Sequence, residues 1–542
     1  RLLRYSSSYT FPSRGLQSFL ELGAVVWGRI WWYTESLFSF TMSASLSANK
    51  RFRLDTLAEE PLSLEVGIEE LGNVSVRALM SLGLSITEAE VTARSLLFGQ
   101  SWQSTSGYND KGEPVELGLA THGLVRIVQY IRGLVERQML HPGTEPVLVA
   151  QSEAMAVLDG EEGNGYYGAR VAFELAMAEA RANGSSTVYL RNMEPAGNCL
   201  AEFALQAAEA GFVCRVVAAP SFAVAHPEDV TATKTIGTTA ICYGCPSEGE
   251  PMILDYTSAA ITFGEVLRRR QTGQPLPEHS CRTKEGIWTT IAEELFDGEA
   301  FTGRIVAASI PDWAQAAMVR MHTLVAGEGT NKCNFSVEII DPASLGDLEV
   351  YRRRVTEWMN LIVGLNHDQV RTPGNHSLAR YQANIDRGSV PVNLVLWDQL
   401  QQLAAGDIPA ELPTTRTPTE LVQEMKYYLA TRRGTIETTP LSRLKRMIDH
   451  NRFDTGEIRL LRRRIHGDQL KDYEIVRIPQ SILIEYLRSK GYSSIRVEIG
   501  DRQDAGVHLD CVIAEGDIFD QDGRRQHKVI RVYSYPVEHS QR

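Results

Sequence analysis

The sequence predicts an α/β fold carrying a smaller α+β unit at its C-terminal end, on three observations. Strand-like and helix-like patterns alternate between residues 154 and 270, which is the signature of a layered α/β structure. Within that stretch, Gly163-Asn-Gly165-Tyr-Tyr-Gly168 stands between a strand pattern and an Ala-rich helix pattern, as a tight strand-to-helix turn would. Near residue 411 the texture changes, with two prolines and four threonines in Glu411–Thr419.

In chain order, the pattern from about Leu57 is helical, with a long apolar face through Val74–Leu97. Ser101–Pro114 is polar and reads as a loop, and Leu124, Val128, Ile131 and Leu134 then share one helical face. Strands are expected at Ala154–Leu158, Thr187–Leu190, Phe212–Ala218, Thr239–Tyr243 and Met252–Asp255. The helices between them are Ala169–Ala182, Cys199–Ala210 and Ala259–Arg270, followed by Leu348–Val363 and Leu394–Leu403. Beyond the 411–420 linker come helical stretches Leu421–Arg432 and Leu441–Asn451, then strand-like runs at Glu474–Ile478, Ser494–Ile499, Leu509–Ala514 and Lys528–Tyr535. The expected organisation is therefore a leader over 1–41, a main domain over 42–410, the linker, and a C-terminal α+β domain over 421–542.

Composition narrows the function classes. The 542-residue chain is 43% hydrophobic, which excludes disorder as its dominant state, and its net charge of −12 argues against general affinity for nucleic acid. Residues 411–542 carry 23 Lys+Arg against 20 Asp+Glu, so the acidity belongs to the rest of the chain. Seven cysteines in this length form no disulfide framework. Residues 1–41 hold four arginines, two acids and many serines, like a mitochondrial presequence; a start at Met42 would instead leave the protein cytoplasmic. The apolar run Leu22–Tyr33 is broken by Arg29 and is too short to span a bilayer, so no integral membrane segment is expected.

Several motifs have a functional and a plain structural reading. The Gly163–Gly168 turn matches a dinucleotide-binding fingerprint, yet a tight turn before a packed helix needs the same glycines. Cys242-Tyr-Gly-Cys245 ends an apolar strand and lacks a second pair, so buried structural thiols explain it better than zinc or redox chemistry, and no metal is expected. The Arg459, Arg462, Arg463, Arg464 cluster with His466 reads as a solvated face, bracketed by Glu457 and Asp468. Thr121-His122-Gly-Leu-Val-Arg126 says more. It sets a histidine and an arginine four residues apart at a helix start, where Arg126 suits a carboxylate and His122 lies near for proton work. A locally satisfied helix N-terminus is the plain alternative.

Taken together, these segments resemble the malate/L-lactate dehydrogenase family of NAD(P)-dependent 2-oxoacid reductases, whose fold is not of the Rossmann type. Thr121–Arg126 resembles its Ser-His-Gly-x-x-Arg element, and Asp159-Gly-Glu-Glu-Gly163-Asn-Gly165 resembles its Asp-Gly-x-x-Gly-x-Gly turn. Ile236-Gly-Thr-Thr-Ala240 falls where the family has Gly-Thr-Asn-Pro, Leu254-Asp255 with Thr257-Ser258 resembles its Leu-Asp-x-Ala-Thr-Ser strand, and Thr372-Pro-Gly374 its late Ile-Pro-Gly-Glu. The likeness runs in order over roughly residues 55–405 and replaces the Rossmann reading of the glycine turn. It implies an NAD or NADP cofactor held by Gly237, Thr238, Thr239 and Asp255, a small 2-oxo or 2-hydroxy acid substrate worked on by His122 and Arg126, and a homodimer.

The chain departs from that pattern where the chemistry is done. Arg191-Asn-Met-Glu-Pro195-Ala-Gly197 places a proline at the family's proton-donating histidine, leaving neighbouring Glu194, or His122, as the substitute donor. Glu265 stands where the family carries a cofactor-side lysine, Thr239-Ala240 replace Asn-Pro, and Asn375 replaces the late glutamate. Two functions from different classes follow. One is a divergent NAD(P)-dependent oxidoreductase acting on a malate- or lactate-like acid. The other is an inactive pseudoenzyme, its cofactor lost, serving as a scaffold or as a subunit of a larger complex.

Overall fold

The structure is a computed structural model that describes residues 62–108, 114–152, 154–193, 198–220, 223–229, 234–298, 300–326, 333–364, 371–431 and 434–435. Further on it describes the pairs 465–466, 469–470 and 475–476, residues 484, 487 and 488, and 492–504, 507–519 and 525–534. The leader, Glu194, Pro195, the Arg459–Arg464 cluster and the expected helix at Leu441–Asn451 lie outside the described residues.

An eight-stranded mixed sheet forms the frame. Its strands are β2 (Val147–Gln151), β3 (Met155–Asp159), β4 (Ser185–Met193), β5 (Val213–Ala219), β7 (Ala240–Cys245), β8 (Met252–Thr257), β11 (Cys333–Ile340) and β13 (Gly434–Thr435). They lie side by side in the order β8-β7-β5-β11-β4-β3-β2-β13, and only β3 and β4 run parallel. Between β3 and β4 runs α3 (Gly165–Asn183), opened by the Asn164 side chain accepting from the Tyr166 N–H and closed by Gly184 at φ +82°. The glycine turn ahead of α3 is a packing device: a side chain on Gly163 would press on Thr144, and one on Gly168 would press on Leu190 of β4. The α3 face joins α4 (Ala201–Glu209) and the sheet in one core, where the Phe203 ring meets Phe173 at a tilt and Phe335 edge-on.

A second core lies between two helices, a two-stranded sheet and the helix that follows it. β1 (Ser63–Gly67) pairs antiparallel with β12 (Ser389–Asn393), and α1 (Ile68–Ser81), α2 (Ile86–Trp102) and α9 (Leu394–Ala404) pack around them. The expected single apolar face over Val74–Leu97 is in fact two helices, because Gly83 at φ +92° breaks it. A third cluster gathers β6 (Val224–Ala225), α5 (Phe263–Thr272), β9 (Cys281–Arg282), β10 (Arg304–Val306) and α6 (Ile310–Thr323). Helices α7 (Leu348–Gly364) and α8 (Asn375–Arg387) complete the body. Among the described residues, no helix is long and apolar enough to cross a membrane.

The Glu411–Thr419 stretch, read from sequence as a linker, runs as a strap hydrogen-bonded to the body. Thr415 Oγ1 meets Ser85 Oγ at 2.6 Å, the Arg416 N–H donates to Glu145 at 2.7 Å, and the Tyr167 hydroxyl donates to the Arg416 carbonyl at 2.8 Å. Helix α10 (Pro418–Thr431), expected as part of a separate tail, buries Leu421, Val422 and Met425 in the main core. The chain then adds β13 to the edge of the large sheet. Further on, β14 (Ile475–Val476), β15 (Ser494–Asp504), β16 (Val507–Phe519) and β17 (Arg525–Ser534) form a four-stranded sheet of their own, ordered β14-β17-β16-β15.

Beneath the strap, Glu88 is fully buried in the first turn of α2. Its Oε2 accepts from the Ser85 and Gly143 N–H groups at 3.1 and 2.8 Å, while Oε1 has no partner. Burial is the dominant influence and raises its pKa to about 7. Because the folded pKa lies above the unfolded value, protonated Glu88 contributes stability that is complete below about pH 4.5 and is lost as pH rises through 7. Urea unfolding at pH 5 and pH 8 should therefore differ between wild type and Glu88→Gln. Wild type should lose on the order of 2–3 kcal/mol more than the variant over that interval, and parallel pH profiles would refute the assignment.

Candidate active site

Helix α2 is the spine of the site. Ser95 and Gly99 lie on one helical face, and Gln103 follows in register at its C-terminal end, spanning ~12 Å of helix axis. Gly99 leaves room for the His122 carbonyl, which any side chain there would strike. The Gln103 side chain holds the Thr121–His122 turn from the other side. Its Oε1 accepts from the His122 backbone N–H at 2.8 Å and the Thr121 hydroxyl at 3.1 Å, and its Nε2 lies 2.8 Å from His122 Nδ1.

These bonds settle the state of His122. A backbone N–H can only donate, so the Gln103 atom facing it is the oxygen, and the amide nitrogen therefore donates to Nδ1. The ring proton then sits on Nε2. Burial, together with the Arg126 charge, lowers the His122 pKa to about 3. His122 is thus a neutral imidazole that carries its proton on Nε2, where it can donate a hydrogen bond.

Arg126 follows where the turn enters a π-helical segment at Ile127–Ile131. It is 7% exposed; its Nε donates to the Thr121 carbonyl at 2.7 Å and its guanidinium lies 4.3 Å from the centre of the Tyr130 ring. Among the described residues, no carboxylate is paired with it. A buried, uncompensated guanidinium costs several kcal/mol, so its position calls for an anion.

The opposite wall is α5, capped by the Thr262 hydroxyl accepting from the Glu265 N–H at 3.1 Å. Gly264 admits Arg126: a Cβ there would lie 2.9 Å from Arg126 Nη2. Between the two walls is a crevice of about 10 Å³, room for one water-sized group, lined by Thr121, Val125, Gln129, Gly264, Arg268 and Gln271 among others. Glu265, expected to oppose a cofactor phosphate, instead binds Arg268 Nε and Nη2 at 2.6 and 2.5 Å and Arg269 Nε at 2.7 Å. Although burial opposes ionisation, these bonds hold its pKa below the usual value. Its charge is therefore neutralised by arginines three and four residues on, and the net field of this turn is positive.

The other expected residues sit at the end of β8 next to α5. The Thr257 hydroxyl donates to the Thr238 carbonyl, Thr239 Oγ1 donates to the Gly237 carbonyl at 3.3 Å, and the Ser258 N–H donates to the Thr239 carbonyl at 3.3 Å. Gly237 packs directly against Pro220. Asp255 keeps accessible surface, yet its carboxyl sits at the start of α4, accepting from the Cys199 thiol at 3.8 Å and from the Ala201 N–H. Desolvation there raises its pKa to about 6. None of these four lines the crevice, and neither His122 nor Arg126 is on its wall. Cys199, Cys214, Cys242 and Cys245 all have thiol pKa values raised by burial, as structural cysteines should, and the described residues contain no metal-binding cluster.

Glu194 lies outside the described residues, while the described residues before and after it in the chain are hydrogen-bonded to the body. Asn198 reaches Ser95 of α2 at 3.3 Å, on the same helical face as Gly99 beneath His122. On the other flank, buried Asp159 accepts from Arg191 Nε at 2.9 Å, Asn192 Nδ2 at 3.0 Å and the Glu161 N–H at 3.0 Å. Glu161, Glu162 and Asn192 all take positive φ, between 51° and 64°, an unusual concentration of strained backbone at one strand end. Gln103 and this clamp were not among the expected site residues; the Ser95-x₃-Gly99-x₃-Gln103 spacing was the available signal.

Comparison with known proteins agrees with this architecture. The sequence matches the malate/L-lactate dehydrogenase family over residues 66–401. It is 24% identical to malate dehydrogenase of Pyrococcus abyssi over 365 residues, covering 62% of this chain and 93% of that one. It is 26% identical to the NADP-dependent (2R)-3-sulfolactate dehydrogenase of Chromohalobacter salexigens over 267 residues, 49% of this chain and 72% of the other. The sulfolactate dehydrogenase structure from Methanocaldococcus jannaschii shares the fold at a TM-score of 0.52 and 20% identity, covering 63% of this chain and 96% of its own. With the family match spanning more than half its length and the same fold underneath, this chain belongs to the malate/L-lactate dehydrogenase family.

Proposed function

We propose that the protein is an NAD(P)-dependent oxidoreductase interconverting a small 2-oxo acid and its 2-hydroxy acid. The observation that carries this reading is Arg126, a buried guanidinium without a carboxylate partner among the described residues, beside a neutral histidine whose Nε2–H is free to donate. Arg126 holds the substrate carboxylate through its Nη atoms. His122 Nε2–H donates to the C2 oxygen and stabilises the negative charge that develops there. The positive charge at the start of α5, with Arg268 and Arg269 around Glu265, suits an anionic cofactor, and the family resemblance assigns Gly237–Thr239 to hold it. A bound nicotinamide supplies or accepts the hydride at C2. Because a neutral His122 keeps its Nε2 proton, the proton that ends on the oxygen is assigned to Glu194.

The relatives are named for dehydrogenase activities, which gives the scaffold alternative no support. Oxidation of NADH or NADPH, followed by absorbance with pyruvate and oxaloacetate in turn, tests the reading directly. Turnover that is reduced at least tenfold by Glu194→Gln is the expected result. Absence of turnover, together with no rise in melting temperature at millimolar NADH or NADPH, would refute it and leave the scaffold reading standing.

A further inference from the structure

The strap and the buried carboxyl of Glu88 share their neighbours. Glu88 Oε2 accepts from two backbone N–H groups, those of Ser85 and Gly143. The strap rests on these same two residues. Thr415 Oγ1 lies 2.6 Å from Ser85 Oγ, and Pro413 packs so closely on Gly143 that any side chain there would strike it. Next to Glu88, the Thr87 hydroxyl donates to the Thr415 carbonyl at 3.1 Å. Glu88 Oε1, by contrast, is buried without a hydrogen-bond partner. A neutral carboxyl bears such burial far better than a carboxylate, whose charge needs donors or water at both oxygens.

The charged groups around Glu88 do not offset that penalty. Glu145 repels a charge on Glu88 and is itself bound by Arg416 of the strap, which also pairs with Glu424 of α10. Tyr167 of α3, within electrostatic reach of Glu88, donates its hydroxyl to the Arg416 carbonyl, and Glu174 of α3 accepts from Thr419. On the segment leading to Gly143, His141 pairs with Glu162 at 3.2 Å.

We propose that the strap is a proton-controlled latch, which closes over Glu88 while that carboxyl is neutral and loosens when it ionises. Lifting Pro413 and Thr415 uncovers Gly143 and Ser85 and lets water reach the carboxyl, which relieves the ionised form and gains the neutral form little. The sign follows from linkage. Closure holds the Glu88 pKa at about 7 and opening returns it toward 4.5, so closure takes up a proton. It is strongest below about pH 4.5 and weakens until pH has passed 7. The latch acts on the first turn of α2, the helix whose other end carries Gln103, and the inference holds whatever reaction the candidate site performs.

Hydrogen exchange of the full-length chain, read by mass spectrometry at pH 5 and pH 8 and corrected for intrinsic amide rates, tests the latch. The peptide spanning 411–417 contains the Arg416 N–H, which donates to Glu145 while the strap is closed. In wild type its protection should fall tenfold or more from pH 5 to pH 8, while peptides from α3 keep theirs. Glu88→Gln, neutral at both pH values, should change less than threefold in the same peptide. The Glu145–Arg416 pair is present in both proteins, so its own response to pH cancels in the comparison. If Glu88→Gln does not fold, the wild-type profile decides alone. Strap protection that stays flat with pH, that falls no more than in α3, or that falls as much in Glu88→Gln overturns the proposal.

Discussion

Asp159→Ala is expected to destabilise the protein by ~3–5 kcal/mol, the range for removing one partner of a buried ion pair and leaving the other charge behind. Asp159 is wholly buried and its two oxygens serve Arg191, Asn192 and the Glu161 N–H. Removing the carboxylate strands the Arg191 guanidinium, which among the described residues keeps the Ala326 carbonyl at 2.6 Å. It also releases the side chain of Asn192, a residue at positive φ whose Nδ2 donates to the same carboxylate. Urea unfolding monitored by circular dichroism should show a lower midpoint at unchanged slope. A loss below 1 kcal/mol would mean that the strained strand end is held by something else. Asp159→Asn keeps the shape, so it should retain part of the stability while losing turnover, because Glu194 follows β4 directly in the chain.

How much of this was legible in the sequence depends on the range of the interaction. β3, α3 and β4 announce themselves through local periodicity, and their boundaries agree with the structure to within a few residues. His122 and Arg126 were legible because a short motif places both at one helix start. β11 was not read, although Phe335, Val337 and Ile339 alternate as buried strand residues should. It inserts between β4 and β5 from more than a hundred residues downstream, and nothing local reports that placement. The strap has the composition of a linker; what binds it are Ser85, Glu145 and Tyr167, which lie 249 to 330 residues away in sequence. Glu265 is a different kind of miss. Its partners are three and four residues on and were visible, but reading its charge alone treated a neutralised side chain as a free anion. The protonation state of His122 was out of reach, since Gln103 meets it only through the packing of α2 against the turn.

Arg126→Met should separate stability from activity more sharply than any other single change. Methionine fills much of the arginine stem's volume without a charge, so it removes a buried guanidinium that has no carboxylate partner among the described residues. The fold loses one hydrogen bond, from Nε to the Thr121 carbonyl, and the stacking on Tyr130, together about 1–2 kcal/mol. It regains the cost of desolvating the charge, which is of similar or larger size. Stability should therefore stay within about 1 kcal/mol of wild type or rise. Activity moves the other way, because the carboxylate loses a two-point, charge-assisted partner worth about 3–5 kcal/mol, so kcat/KM should fall by roughly 10²–10⁴. The Arg126 charge is also one cause of the low His122 pKa, so His122 should titrate at a higher pH in the variant, visible in its imidazole NMR shifts. A purely structural arginine would give the opposite pattern, with melting temperature dropping by several degrees and kcat/KM of the surviving folded protein unchanged.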